Sequence, residues 1–243
     1  MQTILAFVEY DGSRYAGFQI QKNSNTIQAE IEKALKKLFK KQIRIAPSGR
    51  TDSGVHALAH PFHFQIETKL SLSSIQKALN SFLPNDICIN RVVKKPNGFH
   101  ARFSAKKKRY DYHIHQSTLR APLLTRSVQI KYALDITRMK KALKFIEGRH
   151  DFRSFAAKTP KDKDTVREIY KTSLKKKGRE LIFSFEGNGF LYNMVRNLVG
   201  TVLEVGRGKM TLTEFKRVLR AKNRNLAGPT APAKGLRLIK VTY

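Results

Sequence analysis

Apolar residues recur along this chain with two periods, and the period switches repeatedly. Ile4 to Tyr10 is an apolar run that stops at Asp11-Gly12, which predicts a strand followed by a turn. Ile27, Ile31, Leu35 and Leu38 recur at helical spacing. Asn25 is positioned to cap that helix, with Gln28 three residues on as the return partner. Phe62, Phe64 and Ile66 alternate with His63 and Gln65, the period of a half-buried strand. Ile75, Ala78, Leu79 and Phe82 mark a second helix, started by the serines around 71 to 74, and Ile87 to Val93 is a further strand. The first hundred residues therefore read strand, helix, strand, helix, strand.

The second half follows the same logic. Tyr110, Tyr112 and Ile114 alternate as a strand. Ile136, Met139, Leu143 and Ile146 form a helical stripe closed by Gly148. Val166 to Leu174 and Leu181 to Phe185 predict a hairpin across Lys176-Lys177-Gly178. Leu191, Val195, Leu198 and Val202 predict a helix ending at Gly206. Thr211 and Glu214 make a capping box for a short helix carrying Phe215, Val218 and Leu219, and Leu236 to Tyr243 is a last strand. The order implies an α+β protein of two related sheet-and-helix units that share one sheet. The join falls between Arg102 and Lys108, giving units 1–104 and 105–243.

Charge narrows the partner. The chain has 243 residues and 41% hydrophobic residues, enough for a globular core. Lys and Arg number 48 against 18 Asp and Glu, a formal net charge of +30. Such an excess opposes compaction, and a polyanionic partner offsets it. Nucleic acid is the first candidate. The basic residues are spread over several segments, with no single cluster of the kind that seats on a membrane surface. Lys106-Lys107-Lys108-Arg109 runs into Tyr110, Lys158 to Arg179 is a second basic region, and Lys222, Arg224 and Lys234 sit among Gly and Pro. The one cysteine, Cys88, excludes an intrachain disulfide and a cysteine zinc site. The apolar opening run stops at Glu9 and lacks a basic flank, and no run is long enough to span a membrane. The expectation is a soluble, cytoplasmic protein.

Within this basic chain, Gly49 to His56 reads GRTDSGVH and places an acid between two glycines. Alone it fits three readings: an ordinary turn, one half of an aspartic-protease pair, and a lone catalytic aspartate. The protease reading needs a second carboxylate that no second such tripeptide supplies. His56, His60 and His63 lie close together, but their spacing is not that of a helical zinc site and Pro61 interrupts it. No metal site is expected.

The same stretch, extended to Ala57, resembles the signature of the tRNA pseudouridine synthase A (TruA) family. Tyr10-Asp11-Gly12 with Tyr15, Gly17 and Gln19-Ile20-Gln21 is similar to that family's opening, as is Thr26-Ile27-Gln28. Phe99 to Ala105 and Tyr110-Asp111-Tyr112 resemble its middle. Asp151 to Phe155, Gly189 to Asn197 and Ala233 to Leu236 complete the match, in order and over nearly the whole chain. Phe18 departs from the tryptophan often found there.

The resemblance implies a pseudouridine synthase fold, with two ferredoxin-like (RRM-like) subdomains sharing a mostly antiparallel sheet. It implies an isomerase that converts uridine to pseudouridine at positions 38, 39 and 40 of the tRNA anticodon stem-loop. It further implies a homodimer that needs no cofactor or metal. By the same resemblance Asp52 is the nucleophile, Arg196 its cationic partner, and Tyr110 the residue that stacks on the uracil. Arg50 contacts RNA and Leu236 walls the base pocket, with Arg102, Lys106, Lys107 and Lys108 as further RNA contacts. The rival class is a non-catalytic RNA-binding protein, which explains the charge but not the glycines around Asp52.

Overall fold

The computed structural model describes residues 1–157 and 164–243. The first elements are β1 (Gln2–Tyr10), α1 (Ile27–Phe39), β2 (Ala46–Pro47), β3 (His56–Ile66), α2 (Leu72–Phe82) and β4 (Ile87–Lys95). Next come β5 (Lys107–Gln116), β6 (Val128–Ile130), α3 (Ile136–Lys144), β7 (Gly148–Asp151) and β8 (Val166–Lys177). The chain closes with β9 (Glu180–Gly187), α4 (Met194–Gly206), α5 (Leu212–Ala221) and β10 (Leu236–Thr242). The fold is α+β, in two compact units: Met1–Lys106 with Arg237–Tyr243, and Lys107–Leu236. The periodicity reading put the last strand with the second unit. It joins the first, because Arg237 and Leu238 pair in parallel with His56 and Ala57 of β3.

In the first unit the strands run β4-β1-β3-β10, and β1 pairs antiparallel with both β3 and β4. The alternation read from the sequence is the register: Ile4 lies opposite Phe64, and Ala6 opposite Phe62. These four side chains are fully buried together with Val8, Ile27, Ile31, Leu35, Ile75 and Leu79. Phe64 meets Phe39 of α1 at 6.5 Å between ring centres, so this is the helix-covered face. Each large apolar side chain buried here contributes about 1.5–3 kcal/mol. The opposite face carries an open groove lined by Leu5, Phe7, Val93, Val241 and Tyr243, with Arg91, Lys95 and Lys240 beside it.

The cap of α1 differs from expectation. Thr26 is the N-cap, its side chain accepting from the Ala29 amide at 3.3 Å. Gln28 is occupied elsewhere, accepting from the Ile20 amide and donating to Glu32. Glu32 is itself buried, yet fully engaged: Arg44 donates to it at 2.8 Å and the Ile45 amide at 3.2 Å. A buried carboxylate is tolerated only when paired and hydrogen-bonded in this way. It ties α1 to the segment that leads into β2 and the loop beyond.

In the second unit the strands run β5-β9-β8-β7, antiparallel throughout, and β6 adds in parallel to β5. The hairpin of β8 and β9 turns at Gly178, where φ is +57°. The capping box of α5 is formed at both ends between Thr211 and Glu214. Helix α4 starts at Met194, three residues later than the apolar stripe implies, because Asn193 takes the left-handed conformation and interrupts the turn. It buries Val195, Leu198, Val199 and Val202 and is the central helix of this unit.

Candidate active site

The loop between β2 and β3 is both a turn and the seat of an acid. The Val55 amide donates to the Asp52 carbonyl at 3.2 Å, and Gly54 sits at φ +77°. That is a type II arrangement, whose third residue needs positive φ and therefore glycine. The turn is clamped from several sides. Ser53 Oγ donates to the Tyr15 carbonyl at 3.1 Å, and the Phe18 amide donates to the Thr51 carbonyl at 3.2 Å. The Tyr10 hydroxyl lies 2.8 Å from Thr51 Oγ1 and 3.0 Å from His60 Nδ1. Tyr10, Thr51 and His60 are all buried, and the Phe18 ring lies 4.3 Å from that of His60. A phenylalanine at 18, in place of tryptophan, thus packs directly against this support. Asp52 itself is half-buried and Arg50 is exposed. A half-exposed carboxylate on a rigid turn can act as a nucleophile or a base.

The three histidines serve this scaffold separately. His56 Nδ1 accepts from the Gly12 amide at 3.1 Å and lies 3.0 Å from Asp11 Oδ1. His60 belongs to the Tyr10 pair, and His63 Nδ1 accepts from the Ala101 amide at 3.2 Å. Among the described residues no group of three or more His, Cys, Asp or Glu is placed to hold a metal ion.

In the second unit, Arg196 occupies the third position of α4 and is half-buried. Its Nε donates to the Ala231 carbonyl at 2.7 Å and its Nη1 to Asn193 Oδ1 at 3.0 Å. The segment carrying Ala231 is held in turn. Thr230 Oγ1 donates to Asn197 Oδ1 at 2.6 Å, Arg224 Nη2 donates to the same oxygen at 3.0 Å, and the Ala231 amide donates to the Arg196 carbonyl. Gly200 lies so close that a β-carbon there would sit 1.7 Å from the Pro229 carbonyl oxygen.

Tyr110 and Tyr112 divide the roles open to a strand tyrosine. Tyr112 is buried, and its hydroxyl donates to the Pro232 carbonyl at 2.8 Å. Burial, partly offset by the Arg196 charge, holds that phenol well above its ordinary pKa. Tyr110 is half-exposed, its ring edge-on to Phe190 at 5.2 Å. Leu236 is buried, next to Gly235, whose backbone abuts the Tyr112 ring.

The expected RNA contacts divide. Arg102 and Lys106 are exposed. Lys107 pairs with Glu186 at 2.8 Å, whereas Lys108 is half-buried in β5. Arg224 is no phosphate ligand in waiting, since its guanidinium is spent on Asn197, Thr230 and Ala227. Of the basic region beginning at Lys158, residues 158–163 lie outside the described residues. The sequence reading did not single out Tyr10, Thr51 or Asn193 as functional. Tyr10 and Asn193 lie in the matched motifs, but nothing local gives their partners.

Comparison with known proteins places the chain in a family. The tRNA pseudouridine synthase family model matches residues 6–104 and 142–243. A tRNA pseudouridine synthase A of an Exiguobacterium species is 43% identical over 244 residues, covering 100% of this chain and 98% of its own. That of Geobacillus kaustophilus is 46% identical over 246 residues, covering 100% of this chain and 95% of its own. That of a further Geobacillus strain is 47% identical over 239 residues, covering 97% and 96%. The chain belongs to the tRNA pseudouridine synthase family, and so to the isomerases.

Proposed function

We propose that this protein converts uridine to pseudouridine at positions 38, 39 and 40 of the tRNA anticodon stem-loop, with Asp52 as nucleophile. The observation that carries this reading is that the family match includes the turn that carries the half-exposed Asp52, packed against the buried Tyr10, Thr51 and His60. The charge of +30 supports a polyanionic substrate.

The reaction breaks the bond from C1′ to N1 and joins C1′ to C5 of the uracil; C5 then loses its proton and N1 gains one, so the product is an isomer of the substrate. A carboxylate can trap one fragment covalently while the base turns. Asp52 must be ionised to do so, and a cation favours that form; Arg196 takes this role. The target uridine is stacked and has to be extruded, at a cost of a few kcal/mol. The half-exposed Tyr110 ring offers a face for the extruded base. Arg50, Arg102 and Lys106 are exposed cations suited to phosphate. The enzyme acts as a cytoplasmic homodimer and draws all its chemistry from side chains.

The test is release of label from C5-tritiated uridine in tRNA by purified protein alone. Asp52→Asn is expected to abolish release while tRNA affinity stays within about threefold of the parent, since phosphate contacts supply most of that affinity. Substantial release by Asp52→Asn removes the nucleophile assignment. No release by the unaltered protein, with tight tRNA binding, leaves a binding protein instead.

A further inference from the structure

Asn193 is an unusual first residue for a helix. An N-cap residue ordinarily has extended backbone, and its side-chain oxygen accepts from the backbone amide of the second or third helical residue. Asn193 has φ 58° and ψ 6°, and its side chain caps nothing. A non-glycine residue in the left-handed region costs of order 1 kcal/mol or more, and such residues gather at functional sites. The side-chain oxygen is used differently. It accepts from Arg196 Nη1 at 3.0 Å, so it reaches the third helical residue through the side chain. On the same guanidinium, Nε is held by the Ala231 carbonyl at 2.7 Å. Two acceptors on two separate segments therefore fix both the position and the plane of a rigid fork.

We infer that Asn193 is a positioning residue: its carboxamide oxygen, delivered by a left-handed backbone, orients the Arg196 guanidinium for its anionic partner in the reaction. The inference rests on the role given above to Arg196. It explains why the helix forgoes a conventional cap at this point. It also explains why asparagine stands there, being the side chain that tolerates the left-handed region while offering an acceptor.

The test separates backbone from side chain. Asn193→Gly keeps the left-handed conformation at no steric cost and deletes the acceptor. Asn193→Asp keeps the acceptor. Asn193→Gly is expected to lower kcat by about tenfold to a hundredfold, the effect of a misplacement near 1 Å, with KM within about threefold and the melting temperature nearly unchanged. Asn193→Asp is expected to retain kcat within about threefold of the parent. Arg196→Met is the control, and its loss is expected to equal or exceed that of Asn193→Gly. A fully active Asn193→Gly, or equal losses in the Gly and Asp variants, overturns the positioning role while leaving Arg196 in place. A fully active Arg196→Met overturns the role of Arg196 and this inference with it.

Discussion

Gly200→Ala sets helix propensity against packing, and the structure decides the sign. Gly200 lies inside α4, where alanine is favoured over glycine by about 1 kcal/mol. Propensity alone therefore predicts a gain. The new methyl group would sit 1.7 Å from the Pro229 carbonyl oxygen and 2.9 Å from its carbon. Carbon and carbonyl oxygen meet without overlap at roughly 3.3 Å, so the loop must retreat by about 1.5 Å. That loop is not free to drift. It is held by the Gly228 amide on Thr201 Oγ1, by Thr230 on Asn197, and by the Ala231 amide on the Arg196 carbonyl. Overpacking a fixed backbone costs about 1–3 kcal/mol, and one or two of these hydrogen bonds add about 1 kcal/mol each when lost. The net expectation is a loss of about 2 kcal/mol, which lowers the melting temperature by about 4–8 °C. Turnover is expected to fall further than stability, because the retreating loop carries the Ala231 carbonyl away from Arg196. Calorimetry and tritium release on the same preparation measure both. A melting temperature raised by the 2–4 °C or so that propensity alone supplies would refute the reasoning.

Three further predictions concern other parts of the molecule. Tyr10→Phe removes a buried hydrogen bond to each of Thr51 Oγ1 and His60 Nδ1, and is expected to cost about 1–3 kcal/mol and to slow turnover; thermal unfolding unchanged within about 1 °C would rule out the support role. Affinity for tRNA is expected to fall steeply as salt rises from 50 to 200 mM, by about a thousandfold if six or so phosphates are neutralised, whereas a flat titration would point away from phosphate contact. Burial opposes ionisation of Glu147, but Lys144 and both donors of Thr172 outweigh it and hold its pKa below the ordinary value of 4.5. The folded state thus favours the carboxylate, so this contribution is complete above the unfolded pKa and is lost as pH falls through the folded one. Glu147→Gln should flatten the acid limb of stability below about pH 5, and an unaltered acid limb would show that the group contributes nothing.

The parts of the fold legible in the sequence are those in which one element buries one face. Ile4, Ala6 and Val8 announce β1, and Thr211 with Glu214 announces α5, because the partner is either solvent or a residue three positions away. The short strands β2, β6 and β7 left no trace. A segment such as Gly148–Asp151 is polar, and only its pairing with β8 makes it a strand. Thr26 rather than Asn25 caps α1: the Asn25 carbonyl accepts from the Ala16 amide and the Ile27 amide donates to the Gly17 carbonyl, which fixes where the helix turns begin. In the candidate site, the turn at Asp52 was legible because its third position needs glycine. Its supports were not, since Tyr10 lies 41 positions from Thr51 and 50 from His60. Arg224 reads as a surface cation until Asn197 and Thr230 are brought to it.

The parallel pairing of β10 with β3 also sets the order in which the protein can be made. The ribosome delivers β1, β3 and β4 early, then the whole of Lys107–Leu236, and only afterwards the strand that lies beside His56 and Ala57. Those two residues directly follow the Asp52 turn. A nascent chain therefore carries an unfilled strand position next to the Asp52 turn until β10 has been made. The second unit, by contrast, is contiguous and can finish before it. The first unit's sheet is therefore completed only once the chain beyond Leu236 has been made.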